Sequence, residues 1–187
     1  MKKNFGAKAV ITPLPVLIIA TYNQDGTPNA MNAAWGGQCG RTHIALNLGE
    51  HATTENIRRN QAFTVSFADK KNLVASDYVG LVSAKNDKDK MKKSGLHTEK
   101  SEFVNAPVIT DYPLTLECKV VSIREELGEI RVVGEVVNCC ADEEILDDNG
   151  TIDIGKIEAL VYDSPSHSYR VVGDVVGSAF SAGKALK

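Results

Sequence analysis

Between Pro15 and Trp35 the chain reads Pro-Val-Leu-Ile-Ile-Ala-Thr-Tyr-Asn-Gln-Asp-Gly-Thr-Pro-Asn-Ala-Met-Asn-Ala-Ala-Trp, and this stretch constrains the fold more than any other. Its first half is a continuous apolar run of strand length, the mark of a buried strand. Asn23 to Gly26 then supplies turn chemistry, because Asn and Asp side chains bond their own backbone and Gly26 takes positive φ without a Cβ clash. A hairpin follows, and its second arm, Asn29-Ala30-Met31-Asn32-Ala33-Ala34-Trp35, carries almost no bulk on either face. Such an arm fills a core poorly. It does let a flat ligand come close to the backbone.

With 187 residues, 43% of them hydrophobic, the chain has the length of one ordinary domain, taken here as residues 1–187, and enough apolar surface for a core. A net charge of -3, from 21 basic and 24 acidic residues, gives no general attraction to nucleic acid or to an anionic membrane. The start, Met1-Lys2-Lys3 followed by an apolar run to Ala20, superficially resembles a secretory signal. Pro13 and Pro15 interrupt it, no small-x-small cleavage site follows, and a cytoplasmic location is expected. No apolar run approaches the ~20 residues that span a bilayer. Asn149-Gly150-Thr151 fits a glycosylation acceptor but reads more simply as a turn. Cys39, Cys118, Cys139 and Cys140 lack Cys-x-x-Cys spacing, so they read as small buried hydrophobes in a reducing compartment, and no metal is expected.

Further along, Gly36 to Gly40 reads as a flexible connection and Thr42 to Leu48 as an alternating strand. A short helix follows, with Thr53 or Thr54 as its cap, Glu55 in its first turn and Arg58 and Arg59 in its last. Ala62 to Phe67 is a strand with Phe63, Val65 and Phe67 on one face. From Asp69 to Ser94 the period is helical, with Leu73, Val74, Tyr78, Val79 and Val82 as the apolar stripe and Gly95 as the stop. Leu114 to Val120 and Ile130 to Val136 alternate as a long hairpin turning near Gly128. After an acidic, turn-rich stretch from Ala141 to Gly155, Ile157 to Tyr162 and Tyr169 to Val172 return as strands. This order implies a mostly β fold with α additions, an antiparallel barrel under a few short covering helices, rather than a doubly wound parallel sheet.

No Gly-x-Gly-x-x-Gly fingerprint, Walker loop, nucleophile elbow or His-Glu-x-x-His pair is present, so no catalytic side chains are assigned and any redox or transfer chemistry rests on a borrowed cofactor. The stretch Pro15 to Trp35, together with Leu46-Asn47-Leu48-Gly49-Glu50-His51-Ala52-Thr53-Thr54-Glu55-Asn56-Ile57, Asp89-Lys90-Met91 and Tyr169-Arg170-Val171-Val172-Gly173-Asp174-Val175-Val176-Gly177, resembles the flavin reductase-like family, most closely its flavoredoxin branch. The resemblance runs over nearly the whole chain, and its most specific piece is Asp-Gly-x-Pro-Asn-Ala-Met-x-Ala-x-Trp. It implies an FMN-binding split β-barrel, usually a homodimer with the flavin near the subunit interface. It further implies electron movement between NADH or NADPH, bound FMN and an acceptor that is either a small flavin or another redox protein.

On that basis the cofactor contacts fall on Asn29, Ala30, Met31, Asn32, Ala33, Ala34, Trp35, Asn47, Leu48, Gly49, His51, Thr53, Thr54, Lys90 and Tyr169. The residue chemistry agrees: Asn29 and Asn32 each offer donor and acceptor to the pyrimidine edge of a flavin. The phosphate requires N–H and hydroxyl donors with positive charge, as found where a helix opens after Gly49 beside His51, Thr53 and Thr54. Plainer readings stand beside these. The asparagines are turn and edge residues, Trp35 is core, the threonines merely cap, and Lys88, Lys90, Lys92 and Lys93, paired with Asp89, form a solvated helix face. Ser83-Ala84 stands where many relatives carry Ser-Gly. Rival functions are a split barrel that binds or senses another flat ligand such as haem, and a dimeric barrel without any cofactor.

Overall fold

The computed structural model describes residues 1–186. Strands β1 (Leu14–Pro15) and β2 (Leu17–Tyr22) lead into β3 (Pro28–Ala33), β4 (Gly36–Gln38) and β5 (His43–Leu48). Helix α1 (Ala52–Asn60), strand β6 (Ala62–Phe67), helices α2 (Leu73–Leu81) and α3 (Lys90–Ser94), and the short pair β7 (Thr98–Lys100) and β8 (Pro107–Ile109) follow. The long strands β9 (Leu114–Glu126) and β10 (Glu129–Ala141), helix α4 (Ile154–Ile157), and strands β11 (Leu160–Asp163) and β12 (Ser168–Val171) complete the order.

The β2–β3 hairpin forms for the reason read from its turn. Asn23 donates its N–H to the Thr27 carbonyl at 2.8 Å, the Asp25 carboxylate accepts from the Thr27 amide and hydroxyl, and Gly26 sits at φ 81°. An antiparallel seven-stranded sheet in the order β3-β2-β6-β9-β10-β5-β4 curls around a core that includes Ile19, Leu46, Ile57, Phe63, Val65 and Val132. On its outer side Val16, Ile18, Ala20, Ala30 and Val79 pack with Ile109, Tyr112 and Leu160. Strand β2 therefore feeds both cores with alternate residues, which is why its sequence is apolar without interruption. Register shifts in the β9–β10 ladder after Val133 and Val136 bend the sheet. A Cβ on Gly134 would lie 2.6 Å from Phe63 Cζ, so the bend depends on a glycine there.

Strands β3 and β4 are consecutive in the chain yet lie at opposite ends of the sheet, joined only by Ala34 and Trp35. The barrel is thus split between them. A smaller sheet, β1-β11-β12, sits beside that seam, and β7 pairs with β8 apart from both. The mostly antiparallel, barrel-like architecture with short helices is the one expected.

Several local expectations are corrected. The helical stretch from Asp69 to Ser94 is two helices, because Val82 is extended (φ -110°, ψ 130°) and the amides of Asn86 and Asp87 turn back to the Ser83 carbonyl. Val79 is buried as expected, but Leu73 and Val74 face solvent, so the apolar stripe is narrower than the periodicity implied. Gly95 does end α3, at φ 73°. Gly36 to Gln38 is paired strand rather than a loose connection, drawn into the sheet by β5. The N-cap of α1 is His51, with Thr53 and Thr54 inside the first turn. The lysine that pairs in the basic segment, Lys93, bonds Asp87 at 2.7 Å rather than Asp89. Of the cysteines only Cys118 is buried. No helix among the described residues is long and apolar enough to cross a membrane.

Candidate functional site

Residues Met31, Asn32, Ala33 and Ala34 and the adjoining Trp35 all line one cavity of about 580 Å³. Successive side chains of a strand point to opposite faces, so a consecutive run along one cavity means that the cavity follows the unpaired edge of β3, where backbone N–H and C=O groups are free. The opposite wall is Asn47, Leu48, Gly49 and His51 at the end of β5, and Tyr162, Tyr169, Val16 and Glu129 complete it. Trp35 is 60% exposed at the mouth and meets Tyr162 edge-on, with ring centroids 6.4 Å apart; it is not a core residue. Tyr162 in turn lies 6.1 Å from Tyr169.

A second cavity of about 220 Å³ continues from the first, sharing Met31, Asn32 and His51 and adding Asn29, Ala52, Thr53, the Val79 to Ala84 segment and Lys90. This end is polar. His51 takes an extended conformation (φ -120°, ψ 163°) and makes no side-chain cap, leaving first-turn amides of α1 without intrahelical acceptors. Gly49 leaves space for the imidazole: a Cβ there would lie 3.2 Å from His51 Nε2. Asn29 Nδ2 donates to Thr53 Oγ1 at 2.9 Å, both residues being fully buried. That contact leaves Asn29 Oδ1 buried with no partner, and turning the amide over would merely strand the nitrogen instead. A buried polar atom without a partner costs about 1–3 kcal/mol, which a polar ligand group offsets.

Lys90 contradicts the reading of a solvated helix face. It is 3% exposed, its Nζ donates to the Ala30 carbonyl at 2.6 Å, and burial pushes its pKa down from 10.5 to about 8. Among the described residues no carboxylate neutralises it. A buried ammonium beside helix-start amides and a threonine hydroxyl is a set of donors suited to an anion.

Thirteen of the fifteen expected contacts therefore line the two joined cavities. Ala30 does not: its side chain belongs to the outer core and only its carbonyl serves the site, by holding Lys90. Nor does Thr54, whose hydroxyl donates to the Gly49 carbonyl at 2.7 Å and fixes the turn before α1. Sequence reasoning missed Tyr162, Glu129 and the Val79 to Ala84 segment. Tyr162 carried a signal in its apolar strand context and the segment before α3 one in Ser83-Ala84, noted in the sequence but not assigned to the site, whereas Glu129 carried none. Among the described residues no cluster of His, Cys, Asp or Glu is placed to hold a metal ion.

Residues 10–167 match the model of the flavin reductase-like domain. The chain belongs to the flavin reductase-like family. The flavoredoxin of Desulfovibrio vulgaris (Miyazaki F) superposes with a TM-score of 0.92 at 34% identity, over 98% of this chain and 100% of that one. The flavoredoxin of Methanosarcina acetivorans gives 0.87 at 29% identity, over 100% and 98%. An FMN-binding domain of a flavin reductase-like enzyme from Shewanella baltica gives 0.76 at 19% identity over 88% of each chain, a likeness of fold. No curated protein matches by sequence. Within the family this chain sits on the flavoredoxin side, and the split-barrel fold and a flavin-binding redox role come with that membership.

Proposed function

We propose that the chain binds FMN in the joined cavities and serves as a flavoredoxin-like electron carrier. The observation that carries this reading is the division of chemistry along the site. One end has free strand backbone and small residues, suited to a flat ring; the other has Lys90, Thr53, His51 and the start of α1, suited to a phosphate. Because these donors close the site, FMN fits it better than FAD. When bound, the flavin supplies a two-electron store that takes up hydride or single electrons and passes them on.

The protein's part is to hold and surround. The edge of β3 and the Asn32 amide meet the ring edge, Trp35 and Tyr162 flank the mouth, and Lys90 and Thr53 anchor the phosphate. The sequence offers no acid–base constellation, so no side chain is expected to be indispensable for proton transfer. We further propose a homodimer, since the exposed Trp35 and the open mouth leave the ring accessible to water until a second copy covers it.

Anaerobic stopped-flow absorbance of the FMN-loaded protein tests the redox assignment. Reversible bleaching by a chemical reductant, with slow or no bleaching by NADH or NADPH, is the expected result for a carrier. Rapid bleaching by either nicotinamide makes the protein a reductase, and a flavin that cannot be reversibly reduced refutes both forms.

A further inference from the structure

The curled sheet has an end that its own side chains do not fill. Leu17, Ile44, Val65, Phe67, Leu116 and Val136, from β2, β5, β6, β9 and β10, line a cavity of about 460 Å³ that shares no residue with the two joined cavities. Phe67, Leu116 and Val136 pack against the inner core yet stay only half-buried. These walls are apolar, and the one charged group of fixed sign among the lining residues is the exposed guanidinium of Arg41.

The opposite mismatch occurs in the chain after β12. The Val172 amide, donating to the Ala159 carbonyl at 3.2 Å, makes the last backbone bond to the body; beyond it the described residues bond only one another. Val175, Val176 and Phe180 are essentially fully exposed there. Phe180 takes a left-handed φ of 61°, unfavourable for a residue with a Cβ, on a turn closed by the Ala182 amide to the Ser178 carbonyl at 3.0 Å. The turn holds an aromatic ring out in water, and nothing in the chain compensates. Asp174, just before the two valines, is also exposed, and no ion pair among the described residues includes it or Arg41.

We infer that residues 173–186 are an exchanged arm, which in a two-fold pair lies in the open barrel end of the second copy, with its apolar residues filling the cavity and Asp174 meeting Arg41. An apolar cavity and an apolar segment, each bordered by an unpaired charge of opposite sign, supply what the other lacks. Position favours a second copy. Tyr169, four residues before the arm, lines the ligand cavity together with Trp35, and Gly37, two residues after Trp35, lines the barrel end. A copy seated over the mouth therefore brings its arm beside the neighbouring barrel end. At about 3.3 Å per extended residue, Val175 reaches about 13 Å beyond Val171 and Phe180 about 30 Å. Exchange is reciprocal, so both barrel ends are filled and the pair is closed. The placement rests on the mouth-covering dimer proposed above; the fit of arm to cavity does not depend on flavin.

The test uses the whole chain free of flavin. Sedimentation equilibrium is expected to show a dimer that Phe180→Ser weakens at least tenfold, since a two-fold pair loses the contact twice. Arg41→Glu and Asp174→Arg are each expected to weaken it about five- to tenfold, and the double variant to return to within twofold of wild type. In an equal mixture of methyl-¹³C-labelled and unlabelled chains, nuclear Overhauser contacts are expected from the Phe180 ring of one copy to the Leu116 and Val136 methyls of the other. A flavin-free monomer, a dimer indifferent to Phe180→Ser, charge reversals without rescue, or contacts found only within one chain overturn the proposal. An arm-dependent dimer that binds no FMN supports the exchange and overturns the flavin reading, whereas FMN held by a protein whose association ignores the arm does the reverse.

Discussion

Replacing Lys90 by methionine removes one buried charge while keeping its bulk, and the structure sets opposite signs for the two consequences. In the ligand-free protein the ammonium is a burden. The fall in pKa from 10.5 to about 8 corresponds to a ceiling of about 3 kcal/mol, each tenfold in proton affinity being about 1.4 kcal/mol, and water in the adjoining cavity lowers the real figure. Losing the bond to the Ala30 carbonyl returns about 1 kcal/mol, so Lys90→Met is expected to stabilise the empty protein by about 1–2 kcal/mol at pH 7. Below pH 8 the lysine is protonated in both folded and unfolded chains, and the penalty is complete. Between pH 8 and 10.5 the folded protein has released its proton and the unfolded chain has not, so wild-type stability rises relative to the variant through that window. For FMN the sign reverses, because the variant forfeits a charge-assisted contact to phosphate and is expected to bind about ten- to a hundredfold more weakly. Riboflavin, lacking phosphate, loses nothing. Denaturant titrations from pH 6 to 11 and parallel FMN and riboflavin titrations check both halves. Equal weakening of the two flavins, or a wild-type minus variant difference that stays flat from pH 8 to 10.5, refutes the reasoning.

Two further expectations follow from the same geometry. Thr53→Val removes a hydroxyl facing the polar end and is expected to weaken FMN by about 1.5–3 kcal/mol with riboflavin unaffected; equal losses would make the threonine a brace for Asn29 only. Light scattering of the FMN-loaded protein is expected to give twice the chain mass at micromolar concentration, and a monomer that retains tightly bound FMN would contradict the covering role given to a second copy.

What the sequence disclosed and withheld follows from where each signal resides. The β2–β3 hairpin was legible because Asn23 to Gly26 is a turn by its own local chemistry, and the β9–β10 pair because one face of each strand is apolar for most of its length. Strand β4 was not, since Gly36 and Gly37 carry no strand preference; their pairing to Leu46 and Ala45 is imposed by β5. Helical periodicity runs on through Val82, so the break between α2 and α3 left no trace in the pattern. The placement of Lys90 was hidden for a related reason. In a run of lysines it looks solvated, and only the crossing of α3 over β3 takes it out of water. Most of the cavity wall was readable because small residues and free donors stand together in the chain, whereas Tyr162 and Glu129 join it only through the tertiary fold.

The seam between β3 and β4 has a cost of its own. A sheet whose two end strands do not meet keeps bare backbone edges, and bare edges are templates on which other chains can add strands. Here the edge of β3 is turned inward, along the ligand cavity, and the link through Ala34 and Trp35 bridges the gap covalently, helped by one bond from the Asn47 amide to the Trp35 carbonyl at 2.8 Å. A flat ligand lying along that edge would take the place of the absent neighbouring strand. Occupancy of the site would then shield that one edge from stray strand pairing, an effect separate from the proposed dimer contact at the mouth, and the empty protein would be the form in which the split barrel is open to misassembly.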